Sequence, residues 1–199
     1  MVKPQIYLAS SSPRRHELLE QIGIGYQLLD VNIDEQRHGH EAAEMYVLRM
    51  ALGKARSGWV SVRDEAPLPV LGADTVVFID DEILGKPADR DEAGQMLAKL
   101  SNRTHYIYTG VALDSDDEKT RLSVSNVTFR ELDDLECRVY CASEEVLDKA
   151  GAYAIQGRAA VFISRIEGSY SGVMGLPLFE TAELLAEVGI HIFPGADSE

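Results

Sequence analysis

Basic residues are scarce in this chain. Its 19 lysines and arginines stand against 33 aspartates and glutamates, giving a formal net charge of −14 over 199 residues. A surface of that sign repels phosphate backbones and anionic headgroups, which argues against a general DNA, RNA or membrane-surface binder. An anionic ligand would need its cations gathered locally, or a metal to bridge the charges. Cysteine is scarce as well. Cys137 and Cys141 are the only 2. They stand four apart in a helical pattern, with no histidine or further cysteine beside them to complete a metal set. They suit reduced structural thiols in a reducing cytoplasm. No apolar run approaches the ~20 residues of a membrane-spanning helix, and "IYLA" is too short for the core of a signal peptide. None of the 5 histidines stands in a metal-binding spacing such as HExxH. His38 and His40 flank Gly39 in a polar stretch expected to face solvent. There is no internal repeat and no low-complexity tract, and the tail "PGADSE" is expected to fray.

What is present is an alternation of strands and helices. With 45% hydrophobic and 26% charged residues, a chain of this length suits one globular domain, in one or two lobes, with room for a real core. "QIYLAS" predicts a buried first strand. Pro13 and Gly23 bracket a short helix with Leu18, Leu19 and Ile22 inward. A second strand is expected over residues 26–31, leading into the acidic "NIDEQ". Met45, Leu48, Leu52 and Ala55 at helical spacing predict a helix over residues 41–57, with "VRDEAPLPV" a surface loop after it. "VLGADTVVFIDDEILGKP" predicts two strands joined by an acidic turn at Asp80 and Asp81. Asp89 with Glu92, and Asp133 with Glu136, have the spacing of capping boxes. Ala93, Met96, Leu97 and Leu100 give the first of those helices one apolar stripe. Strands over residues 106–113 and 122–129, separated by "DSDDEKT", a strand at "VFISRIEG" and a last helix over residues 177–188 stopped by Gly189 complete the pattern. Hairpins and interleaved helices together predict an α/β fold, a mixed twisted sheet with flanking helices.

Two short stretches stand out chemically. "SSSPRR", residues 10–15, sets hydroxyls and fixed cations where the first strand hands over to the first helix. Unpaired N–H groups and the positive end of the dipole favour an anion there. Serine hydroxyls add donors, and Arg14 and Arg15 add forked guanidiniums that match phosphate oxygens. Such a junction is a natural anion site, although Ser12 can equally cap the helix with both arginines solvated. Consecutive arginines diverge by about 100° around a helix, so one of them points fully at a ligand. "GADT" sets Asp74 in an apolar run. A buried carboxylate is costly unless paired, metal-bound or catalytic, and Gly72 and Ala73 leave room for a ligand near the backbone. A structural salt bridge and a catalytic role both remain open at this point. "LGKP" places Lys86 before a proline and is not a Walker A loop. Lys86, Glu35 and Lys54 each suit a plain surface charge when taken singly. "YAIQG" puts Gln156 in an apolar context, where a buried amide can read a base edge or tie down a loop. "MGLP" suits a turn with Pro177 opening the last helix.

Taken in order, "LASSSPRRHELL", "DEQ", "LGADTVV", "LGKP", "LSNRTHYIYTGVAL", "DKAGAYAIQG" and "GLPLFET" resemble the Maf-type nucleoside triphosphate pyrophosphatases over nearly the whole chain, residues 1–199 as a single domain. "SPRR", "GADT" and "YxIQG" are similar to the branch that acts on dTTP and UTP; a sister branch prefers 7-methyl-GTP. "YSGVMGLP" is looser than the family's usual wording. The resemblance implies hydrolysis between the α- and β-phosphates to the monophosphate and pyrophosphate, with a divalent cation, Mg2+ or Mn2+. It implies a fold similar to the inosine triphosphate pyrophosphatases, with the site in a cleft between two lobes. By the same resemblance Asp74 is the proton acceptor, with Lys54 and Lys86 joining it in catalysis. Arg14, Thr75 and Gln156 are tied to base choice, Ser10 and Arg15 contact substrate, and Glu35 and Asp74 take the metal. The implied partner is a small-molecule nucleotide in the cytoplasm, not a nucleic-acid polymer or a membrane, with a homodimer left open. Asp74 is expected to cost stability until metal and substrate arrive. The family name also brings a link to septum formation, so a nucleotide-binding regulator without turnover stands as a second expectation; Asp74 favours the enzyme.

Overall fold

The structure is a computed structural model describing residues 3–64 and 68–193. The "PGADSE" tail and the middle of the "VRDEAPLPV" stretch lie outside the described residues. The sequence alternation becomes strand β1 (Ile6–Leu8), helix α1 (Pro13–Gln21), β2 (Tyr26–Leu28), α2 (Ala43–Val62), β3 (Val70–Ile79), β4 (Glu82–Leu84), α3 (Arg90–Leu100), β5 (Thr104–Asp114), β6 (Glu118–Phe129), α4 (Asp134–Cys141), β7 (Ile163–Glu167), α5 (Tyr170–Met174) and α6 (Leu178–Ala186). The sheet is mixed, as expected. Its order is β2-β1-β3-β5-β6-β7, with β4 beside β3. β1 runs parallel to β2 and β3, whereas β4 on β3 and β7 on β6 are antiparallel. No helix among the described residues is long and apolar enough to cross a membrane.

The chain divides into two compact units. One takes the residues up to Asp74, then Thr109–Leu122, then those from Gly175 on; the other takes Thr75–Tyr108 and Ser123–Met174. In the first unit α2 lies directly on strand backbone. A β-carbon added at Gly72 would fall within the contact radius of the Ala51 carbonyl oxygen and 2.8 Å from the Ala55 nitrogen; one at Gly110 would lie 2.5 Å from the Val47 oxygen. So close an approach selects small residues along the facing side of the helix. The buried stripe of α2 is therefore Val47, Ala51, Ala55, Gly58 and Val62, with Met50 beside it. Of the expected stripe, Ala55 is fully buried and Leu52 packs partly buried beside it, while Met45 turns out at 60% exposed. The helix also runs on to Val62, past its expected end at Ser57.

The second unit has a conventional side-chain core. Val77, Ile79, Leu97, Leu100, Phe129, Tyr153 and Phe162 pack there, with Ala93 and Met96 of α3 as expected. Its turns follow from local chemistry. Asp80 and Asp81 both adopt left-handed φ, 53° and 61°, and close the β3–β4 hairpin with the twist its strands need. Asp133 and Glu136 form a complete capping box on α4. Asp89 accepts from the Glu92 amide, but the Glu92 carboxylate turns to the Ala88 amide instead, so that box is offset by one residue. Cys137 and Cys141 lie on α4 as free thiols. Further boundaries move, and β2 ends at Leu28 rather than at residue 31. The turn in "DSDDEKT" narrows because β6 begins at Glu118; "VFISRIEG" opens as a helical turn over Arg158–Phe162; and Pro177 is the cap of α6 rather than its first residue.

Candidate active site

Residues two apart on a strand share a face. Gly72 faces the Ala51–Ala55 turn of α2, so Asp74 faces the same helix, and Lys54 is the residue before Ala55. The Lys54 ammonium donates to Asp74 Oδ1 at 2.7 Å and lies 2.7 Å from Glu35 Oε1. The Lys54 and Asp74 side chains are 15% and 14% exposed, and that of Glu35 is 59% exposed. Burial holds the Asp74 carboxyl above the usual carboxylate range, against the pull of Lys54 and Arg15. Asp74 is thus paired with Lys54, yet burial outweighs that pairing, in keeping with the expectation that its charge costs stability in the fold. The room expected beside Gly72 and Ala73 is absent: Ala73 is fully buried, and helix backbone fills the space at Gly72.

Glu35 comes from an irregular stretch fixed by α2. The Tyr46 hydroxyl donates to the Glu35 carbonyl at 2.9 Å, and Arg49 Nη2 to the Gln36 carbonyl at 3.1 Å. Burial, with the Asp74 and Glu35 charges behind it, pushes the Tyr46 hydroxyl up to about 12. Arg49 also pairs with Glu41 at 2.6 Å and holds its carboxyl at about 2. His38 and His40 are exposed in this stretch, as expected. Neither Tyr46 nor Arg49 stood out in the sequence; their spacing from Glu35 across the loop is the one signal they carry.

At the "SSSPRR" junction Pro13 opens α1 and Gly23, with φ of 73°, follows its end, as expected. Ser12 occupies the cap position, yet its side chain makes no capping bond. Its amide donates instead to Ser10 Oγ at 3.2 Å. Arg15 donates from Nη1 to the same oxygen at 2.9 Å and from Nε to the Gly175 carbonyl at 2.8 Å. Burial lowers the pKa of this guanidinium while the Asp74 charge raises it, which sets Arg15 within electrostatic reach of the carboxylate. The solvated-arginine alternative therefore fails for Arg15. Arg14 is half-buried.

Three candidate residues belong to the second unit. Thr75 follows Asp74 on β3 and is half-buried, and Lys86 is exposed between β4 and α3. Gln156 is exposed too, which corrects the expected buried amide: the buried run of residues 153–155 ends in a turn that carries Gln156 outward. That turn is held by Glu145. Its carboxylate fills the space a β-carbon at Gly157 would need, and it accepts from the Tyr140 hydroxyl at 2.9 Å.

Among the described residues no group of three or more histidine, cysteine or acidic side chains forms a ready metal cage. Two carboxylates meeting at one ammonium are nonetheless hard oxygen donors in the number that suits Mg2+ or Mn2+. Such ions take one or two carboxylates and complete their shell with water and substrate phosphates.

Residues 5–188 match the family model described as Maf-like protein. A dTTP/UTP pyrophosphatase of Alkalilimnicola ehrlichii is 57% identical over 191 residues, covering 94% of this chain and 95% of its own. The dTTP/UTP pyrophosphatase of Escherichia coli strain K12 is 51% identical over 182 residues, 91% of each chain. Among solved structures, a nucleoside-triphosphatase/dITP/XTP pyrophosphatase of Mycobacterium abscessus is 20% identical over 62% of this chain and 72% of its own, with a TM-score of 0.40.

Proposed function

Because the chain belongs to the Maf-like family, we propose that it is a nucleoside triphosphate pyrophosphatase that hydrolyses dTTP and UTP between the α- and β-phosphates. The observation that carries this is the buried Asp74 carboxylate, held through one oxygen by Lys54 beside Glu35. Water attacks the α-phosphorus, the bridging bond to the β-phosphate breaks, and pyrophosphate leaves. Asp74 takes the proton of the attacking water on the oxygen Lys54 does not hold; its raised pKa makes it a stronger base than an exposed aspartate. Lys54 keeps that carboxylate aimed. Arg15 and Lys86 stabilise charge on the departing pyrophosphate, and Ser10 binds a phosphate oxygen. Arg14, Thr75 and Gln156 select the base, since a site that hydrogen-bonds one base edge leaves its own groups unpaired against another. Glu35 and Asp74 would hold a divalent cation, which when bound neutralises phosphate charge.

The whole of residues 1–199 acts as one pyrophosphatase domain on a small-molecule nucleotide. Two free thiols suit a cytoplasmic setting. The test is a panel of nucleotides, 7-methyl-GTP included, incubated with Mg2+ or Mn2+ and resolved by chromatography. TMP or UMP with pyrophosphate is the expected outcome. UDP as the first product from UTP would refute attack at the α-phosphorus, and nucleotide binding with no pyrophosphate release would leave a regulator in its place.

A further inference from the structure

Three contacts converge on Ser10, and one comes from a side chain the proposed reaction does not use. Ser10 lies past β1, whose end is fixed where the Ala9 amide donates to the Leu71 carbonyl at 2.9 Å. Its Oγ accepts from Arg15 at 2.9 Å and from the Ser12 amide at 3.2 Å. Its carbonyl, outside the ladders of both β1 and α1, accepts from His16 Nε2 at 3.1 Å. A serine hydroxyl has two lone pairs and one hydrogen. Both lone pairs are engaged, so Ser10 meets any further partner as a donor. A phosphoryl oxygen can only accept, so the polarities match.

His16 is in turn fixed from its other side. Its ring lies against that of Tyr26 on β2, centroids 5.5 Å apart and planes 31° apart. The Tyr26 hydroxyl donates to Glu20 Oε1 at 3.0 Å. Glu20 is four residues beyond His16 on α1, hence on the same face. The imidazole thus ties β2 and α1 to the one backbone carbonyl that sets the direction of Ser10.

We infer that His16 is a positioning residue for the phosphate end of the nucleotide, acting through Ser10 and Arg15; the inference rests on the pyrophosphatase function proposed above. Holding the Ser10 carbonyl fixes the backbone torsions that aim its hydroxyl and gives the Arg15 guanidinium a stationary oxygen to lean on. Without the donor, Ser10 rotates and the bound phosphate loses alignment. A contact of this kind acts alike on bound substrate and transition state, so its loss falls on KM and spares kcat.

Two substitutions separate this from packing. His16→Phe keeps a ring against Tyr26 and removes the donor. His16→Gln restores a donor that can reach the carbonyl. In steady-state pyrophosphate release from dTTP by the full chain, His16→Phe should raise KM about fivefold, the worth of one hydrogen bond, with kcat unchanged within about twofold. The thermal midpoint should stay within about 2 °C, and His16→Gln should recover most of the KM. A wild-type KM in His16→Phe overturns the inference and leaves the proposed function standing. So does a parallel loss of kcat and thermal midpoint in both variants, which would make His16 a packing residue. Calorimetric Kd values for dTTP give the same reading in a chain that binds without turnover: a rise in His16→Phe alone supports the inference, and an equal Kd overturns it. A wild-type protein that neither binds nor hydrolyses nucleotide overturns both proposals.

Discussion

Each unit holds a polar cluster, and the two are built on opposite terms. In the first, the Lys54 ammonium meets the Asp74 and Glu35 carboxylates within hydrogen-bond distance. In the second, His105 is fully buried and shares a 2.8 Å hydrogen bond with the Tyr153 hydroxyl, ringed by Phe129 at 5.1 Å. Burial drives the His105 imidazole down to about 4 and, with Tyr140 behind it, the Tyr153 hydroxyl up, so both stay neutral. The desolvation penalty is common to both clusters. One meets it with partners of opposite sign. The other meets it by giving up charge, and serves the fold.

That contrast is open to attack by substitution. The largest effect should come from Asp74→Asn, which preserves shape and an acceptor for Lys54 but removes the proposed base. Pyrophosphate release should fall at least about a hundredfold, with the thermal midpoint little changed because Lys54 keeps Glu35. Unfolding with normal turnover in the folded fraction would reduce Asp74 to a structural ion-pair partner.

His105 should show the reverse pattern. Its folded pKa of about 4 lies below the ordinary 6.5, so the unfolded chain binds the extra proton first. Its contribution is intact above about pH 6.5 and is lost as pH falls towards 4, by about 3 kcal/mol in all. His105→Gln removes that term. Denaturant titrations should show the stability gap between wild type and variant shifting in the variant's favour as pH drops through this window, with activity per folded molecule at neutral pH unchanged. A gap that ignores pH would mean His105 does not titrate as a buried neutral group.

The smallest effect, and the one that joins fold to chemistry, is expected at Gly72. A β-carbon there drives α2 off β3, at about 1–3 kcal/mol for overpacking, and Lys54 moves with the helix. Gly72→Ala should therefore lose stability and turnover together, read by melting and kinetics on one preparation. Full activity in a destabilised variant would uncouple the helix contact from the Lys54–Asp74 pair.

The sequence was most readable where the deciding physics is local. Pro13, Gly23, the Asp80–Asp81 turn and the Asp133–Glu136 box each act within a few residues of themselves. The mixed sheet followed from alternation and hairpins. What escaped depends on contacts between distant segments. Lys54 and Asp74 are twenty residues apart, and neither reveals the other. Gly72 resembled ligand space because a missing side chain does not say what fills the gap. Gln156 was misplaced because an apolar run gives no warning of the turn that ends it. For Asp74 and Glu35, family resemblance supplied the proposed roles; the structure supplied the ammonium between them.

The boundary between the units on β3 falls between Asp74 and Thr75. The proposed base and a proposed specificity position are therefore neighbours in the chain, and a trans peptide fixes their α-carbons about 3.8 Å apart. That spacing is a covalent constant, independent of how the units are disposed. Mutation elsewhere can alter either proposed role, but it cannot lengthen the tether between the two residues.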